Sequence, residues 1–195
     1  LPTGSGRDQA GAVAEGAWLG LYKYEEAKGK PSEPKKEKDP ELKRLLLVGA
    51  GAGAEKALQE KQLACEAVIL VRDLVNRAPG EKHPAKYAAD VKKLAAGVKG
   101  LSLKVLDKKA IQAWPMAGLL AVNQGSHNPP VFVHLHYKPA GRARKRVALV
   151  GKGVTFDSGG LDLKSGSNMR LMKKDMGGAA HALGVAQYLM ESDAP

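Results

Sequence analysis

Lys152, Asp157, Lys164 and Asp175 fall within one glycine-rich stretch, residues 150–180. It reads Val-Gly-Lys-Gly-Val-Thr-Phe-Asp-Ser-Gly-Gly, then Leu-Asp-Leu-Lys, and later Met-Arg-Leu-Met-Lys-Lys-Asp-Met-Gly-Gly-Ala-Ala. Lys152 directly follows an apolar run and is flanked by Gly151 and Gly153. Asp157 sits in a glycine-rich turn beyond that run, and loops at the C-terminal ends of strands commonly build sites. Asp175 precedes a series of very small residues, which lets backbone come close to a neighbour. Carboxylates in such surroundings must be paired, hydrogen-bonded or metal-bound, because a bare buried charge costs several kcal/mol or shifts its pKa. A glycine-rich turn with a lysine can also cradle phosphate. The spacing is not that of a Gly-x-x-x-x-Gly-Lys-Ser/Thr loop, however, and two carboxylates repel an anion. The residue types favour a cation.

Other candidates read more plainly. His134 and His136 point to one side of a strand, with Val131, Val133, Leu135 and Tyr137 on the other. No third His, Cys or carboxylate stands nearby at ligand spacing, so they read as polar sheet positions or packed histidines. Residues 49–53, Gly-Ala-Gly-Ala-Gly, follow a short apolar run but lack the Gly-x-Gly-x-x-Gly spacing and the later acidic residue of a dinucleotide fold. They read as a turn. The single cysteine, Cys65, excludes an intrachain disulfide and reads as a small buried residue on a helix.

Apolar periodicity places the elements that must position the site. Residues 7–24 read as a helix carrying Ala10, Val13, Ala14, Ala17, Trp18 and Leu21 at helical spacing. Residues 28–40, rich in Lys, Glu and Pro, read as a solvated loop. Residues 55–76 read as a long helix, and a second begins at Pro84 with Tyr87, Val91, Leu94 and Val98 on one side. Gly97 and Gly100 end it. Strands are expected at residues 45–48, 101–106, 119–122, 131–137 and 146–150, the last one buried. A short helical or irregular piece is expected at 108–114 and a closing helix at about 178–190. The alternation argues for an α/β protein with a mixed, largely parallel sheet flanked by helices.

Composition narrows the function classes. A hydrophobic fraction of 44% and a charged fraction of 26% suit a soluble globular chain. No apolar run reaches the roughly 18 residues of a membrane span, and the first residues lack the basic and apolar regions of a signal peptide. The net charge of +11 raises the question of nucleic acid, but the lysines are spread along the chain and aromatics are only 5%. No basic–aromatic interleaving suggests a base-stacking platform.

The three blocks, VGKGVTFDSGG, LDLK and MKKDMGGAA, resemble in order and spacing the metal-binding core of the leucyl aminopeptidase family. RDLVN at 72–76, LLAVNQGS at 119–126, VFVHLHYK at 131–138 and AVAEGAWLGLYKY at 12–24 support the resemblance. It implies removal of N-terminal residues from peptides with two divalent metal ions, zinc, or manganese or magnesium at one site. It implies that Lys152, Asp157 and Asp175 are metal ligands, with Asp157 bridging both ions and Lys152 coordinating as a neutral amine. Lys164 would be the catalytic lysine that polarises the scissile carbonyl. Met172 would line the pocket for the first side chain of the substrate. The implied organisation is the end of an N-terminal domain over 1–54, a linker helix over 55–76 and the N-terminal half of a metallo-aminopeptidase catalytic domain over 77–195. A cytoplasmic location and a homo-oligomer, a hexamer in the family, are implied as well.

The family pattern also contains a later Asn-Thr-Asp-Ala-Glu-Gly-Arg segment, which this sequence does not contain. Without it the second ion is left with Asp157 alone, and the expectation is that the 195-residue chain by itself is inactive. Three accounts follow: a portion of an active aminopeptidase, a truncated relative with a structural role, or a basic protein that binds nucleic acid.

Overall fold

The computed structural model describes residues 6–26, 42–48, 51–139 and 145–192. The charged loop expected at 28–40 and the first part of the 49–53 turn lie outside them. The chain forms two compact units, residues 1–69 and 70–195. In the first, α1 (Gly6–Gly20) buries Ala10 and Ala14, one turn apart, and the first part of α2 (Ala54–Asn76) buries Ala54, Cys65 and Ala67.

The second unit carries the chemistry. Its core is Leu74 at the end of α2, Val91 of α3 (Pro84–Ala95), and Met176, Ala180 and Leu183 of the C-terminal region. Leu103 of β1 (Leu101–Leu106) and Val133 and Leu135 of β2 (Phe132–Tyr137) pack against it. β1 and β2 pair antiparallel, Leu101 opposite Tyr137 and Leu106 opposite Phe132. The period-two pattern decides which face is buried. His134 and His136 therefore stand exposed, opposite Lys104 and Ser102.

Local signals explain two of the helix starts. Pro84 opens α3, where a missing N–H costs nothing. Asp107 caps α4 (Lys108–Gln112) by accepting the Ala110 N–H at 2.8 Å, and α4 buries Ile111 completely. α6 (Gly166–Leu171) leads through a 3-10 turn, Met172–Lys174, into α7 (Gly177–Glu191).

The α/β class holds, with helices flanking a small sheet, but three expected strands do not form. Residues 119–122 lie in α5 (Ala117–Asn123), where the Met116 carbonyl accepts the N–H groups of Leu119 and Leu120. A short apolar run does not distinguish strand from helix, and Ala and Leu favour the helix. Residues 45–48 and 146–150 are in no ladder among the described residues. The latter run is open rather than buried, with Val147 81% and Val150 96% exposed. An aliphatic run is the signature of a strand covered on both faces, yet it becomes one only beside a hydrogen-bonding neighbour. The sole ladder among the described residues is thus antiparallel, not largely parallel.

Candidate metal centre

The four charged residues of this stretch, three read from their surroundings and Lys164 from the resemblance, form two ion pairs. Lys152 Nζ donates to Asp175 Oδ1 at 2.9 Å, and Lys164 Nζ donates to Asp157 Oδ2 at 2.5 Å. Backbone approach makes the first pair possible. The Ala179 N–H, in the first turn of α7, donates to the Lys152 carbonyl at 2.8 Å. This bond sets residues 151–153 across the start of the helix that Asp175 precedes. Only glycine permits it: a Cβ on Gly151 would stand 2.5 Å from both Ala179 Cα and the Gly178 carbonyl oxygen. A Cβ on Gly178 would stand 2.8 Å from the Lys152 nitrogen.

The second pair is built by the loop that follows. Asp157 Oδ1 accepts the Gly159 N–H at 2.7 Å, and the Ser158 carbonyl accepts the Lys164 N–H at 2.9 Å. The loop thereby returns Lys164 to Asp157. Gly159 has φ +100°, and a Cβ there would meet the Asp162 carbonyl oxygen at 2.2 Å, so the turn requires glycine. The Lys164 ammonium and then the Gly159 N–H hold the Asp157 carboxyl below the usual carboxylate range. The Lys152 charge adds a smaller pull in the same direction, so the two pairs share one electrostatic neighbourhood. Met172 opens the 3-10 turn that leads to Asp175 and is half-buried.

Two carboxylates and an amine nitrogen suit a divalent ion such as zinc or manganese. The hydrogen bond of 2.9 Å between Lys152 Nζ and Asp175 Oδ1 sets an amine nitrogen and a carboxylate oxygen, both donor types for such ions, side by side. Among the described residues no three His, Cys, Asp or Glu side chains gather to hold a metal. A cation at this place therefore needs the lysine nitrogen, which binds only after losing its proton.

One residue near this centre was not legible as functional. Lys82 is wholly buried, and its ammonium reaches Lys173 in the turn before Asp175. The sequence carries no signal of this: α2 ends at Asn76, and the last carbonyls of any helix need donors.

The profile of the cytosol aminopeptidase family, catalytic domain, matches residues 69–195. The probable cytosol aminopeptidase of Aquifex aeolicus is 41% identical over 92% of this chain and 35% of its own length. That of Nocardia farcinica is 44% identical over 87% of this chain and 33% of its own. Among solved structures, the bottromycin maturation enzyme BotP in complex with Mn matches with TM-score 0.76 and 36% identity, over 97% of this chain and 38% of that one. The cytosol aminopeptidase of Coxiella burnetii matches with TM-score 0.76 and 31% identity, over 100% of this chain and 41% of that one. The chain thus spans about a third of the length of the curated relatives it matches. On these matches the chain belongs to the cytosol aminopeptidase family.

Proposed function

We propose that this segment supplies part of a metal-dependent aminopeptidase site, acting on peptides with a free N-terminal amine. The observation that carries the reading is the pairing of Lys152 with Asp175 beside the Asp157–Lys164 pair, on a backbone that three glycines permit. Lys152, Asp157 and Asp175 would hold one divalent ion, zinc, manganese or magnesium, with Asp157 also facing a second. Two bound ions would supply Lewis acidity and a water of near-neutral pKa. The chain's own residues do the rest. Asp157 and Asp175 present oxygen donors, and Lys152 presents a neutral nitrogen once an ion replaces its proton. Lys164 keeps its proton and offers Nζ–H to the oxygen that becomes negative as the carbonyl is attacked. Met172 offers an apolar, adaptable surface to the first side chain of the peptide.

In this reading the residues present complete one cation site, and a single carboxylate toward the second does not hold an ion against water. The 195-residue chain by itself is then expected not to turn over peptide. A cytoplasmic location and assembly into a hexamer belong to the same reading.

The test has two parts. Calorimetric titration with Mn2+ should show one ion bound per chain, lost in Asp175→Asn. Leucyl-anilide hydrolysis by the chain should be absent, and should appear when the segment replaces the matching third of the Aquifex relative. Turnover by the isolated chain would overturn the incomplete site, and failure to bind any divalent ion would overturn the metal reading.

A further inference from the structure

The strongest feature outside the described centre is the buried Lys82. α2 ends at Asn76, and its last carbonyls, like those of any helix, lack intrahelical partners. The 3-10 turn Pro79–Glu81 then folds the chain back, and Lys82 Nζ donates to the Leu74 and Val75 carbonyls at 2.8 and 3.0 Å. A third donor goes to the Lys173 carbonyl at 2.6 Å, and Met176 Sδ lies 3.5 Å away. Every proton of the ammonium is thereby used. The two contacts beyond α2, at Lys173 and Met176, bracket Asp175 in sequence.

We infer that Lys82 is a positioning residue for the cation site: through the Lys173 carbonyl it fastens the backbone just before Asp175 to the end of α2, with the Met176 side chain packed on its ammonium from the other side of Asp175, and so fixes the carboxylate opposite Lys152. The inference rests on the metal reading proposed above. Asp175 follows a turn of only three residues, and its carboxylate is set by the direction in which that turn delivers the chain. The turn's own hydrogen bond, Asp175 N–H to the Met172 carbonyl at 3.1 Å, holds its pitch but not its place. Lys82 supplies the anchor, to a helix that belongs to the same core through Leu74. Burial pushes the Lys82 ammonium down to about 8, and the charges of Lys173 and Arg77 add to that. At neutral pH the side chain is thus still charged and holds all three carbonyls. The anchor is distinct from the ligands themselves, since the Lys82 ammonium spends its donors on the carbonyls of Leu74, Val75 and Lys173.

The test is made on the full chain with Lys82→Met, which keeps the volume and removes the donors, and with Lys82→Gln, which keeps two donors without charge. Ile111→Val serves as a control that loosens a wholly buried position without touching the ammonium. Amide hydrogen exchange should speed up at least tenfold at Asp175 and Ala179 in Lys82→Met, less in Lys82→Gln, and not selectively there in Ile111→Val. The Mn2+ dissociation constant should rise roughly tenfold or more in Lys82→Met while the control stays within about twofold. In the unsubstituted chain the Lys82 ammonium protons should give a slowly exchanging NMR signal. Uniform exchange changes, an unchanged Mn2+ affinity in Lys82→Met, or a rapidly exchanging ammonium would overturn the inference. If the unsubstituted chain binds no Mn2+, the metal reading fails by itself, and the selective exchange at Asp175 and Ala179 still decides whether Lys82 is the anchor.

Discussion

Gly151→Ala and Gly153→Ala make the same chemical change two residues apart, and the structure predicts opposite results. A Cβ on Gly151 would lie 2.5 Å from Ala179 Cα and from the Gly178 oxygen, and 2.7 Å from the Ala179 nitrogen. Ordinary contact begins near 3.4 Å, and every one of these neighbours is backbone. Residues 151–153 must therefore move away from α7 by about 1 Å, since a close-packed interior has little slack. Overpacking of this kind costs about 1–3 kcal/mol, and stretching the Ala179 N–H to Lys152 carbonyl bond adds about 1 kcal/mol. Reduced freedom of the unfolded chain returns about 0.4–1 kcal/mol. The net expectation is a loss of about 1–3.5 kcal/mol. A Cβ on Gly153 meets only Ala179 Cβ at 3.5 Å, so Gly153→Ala should be neutral or stabilising by up to about 1 kcal/mol. Urea unfolding followed by circular dichroism measures both. Because the same shift draws Lys152 away from Asp175, Mn2+ affinity should fall roughly tenfold in Gly151→Ala alone. Equal urea midpoints and equal Mn2+ affinities for the two variants would refute the argument that backbone contact, not glycine content, builds the site.

Two further outcomes follow from named groups. The Asp157 carboxyl is held below its unfolded-state value of 3.8, so its pairing stabilises the fold fully above that value and the contribution is lost as pH falls through the folded pKa. Asp157→Asn should be less stable than the unsubstituted chain at pH 7, and the gap should narrow as pH falls below the unfolded-state value, as read by unfolding across an acid pH series. Asp107→Ala removes the cap on Ala110 and should cost about 1 kcal/mol in the same assay, leaving Mn2+ affinity unchanged.

Much of the site was legible because its chemistry is local in sequence. Lys152, Asp157, Lys164 and Asp175 lie in one stretch, and the glycines within and beside it announce close backbone approach, which Gly151, Gly159 and Gly178 then show. The helices beginning at Ala54, Pro84 and Gly177 were equally legible, because their apolar residues repeat and Pro84 marks a start. What could not be read depends on neighbours distant in sequence. Residues 146–150 carry the pattern of a buried strand, but a strand is defined by its partner, and the described residues give it none. Residues 119–122 were misread because four apolar residues satisfy either period. Lys82 looked like one more lysine of a basic chain. Its role appears only once the end of α2 and the turn at Lys173, ninety-one residues away, converge on one ammonium.

The central claim is that Lys152, Asp157 and Asp175 can share one divalent ion, and proton release tests it most directly. Lys152 donates to Asp175 as an ammonium, so an ion that takes its lone pair must displace a proton. Calorimetric Mn2+ titrations at pH 7, in buffers of different ionisation enthalpy, should report release of about one proton per ion bound. Lys152→Met should release none and bind more weakly. Tight binding with no proton released, or binding unchanged by Lys152→Met, would contradict the account.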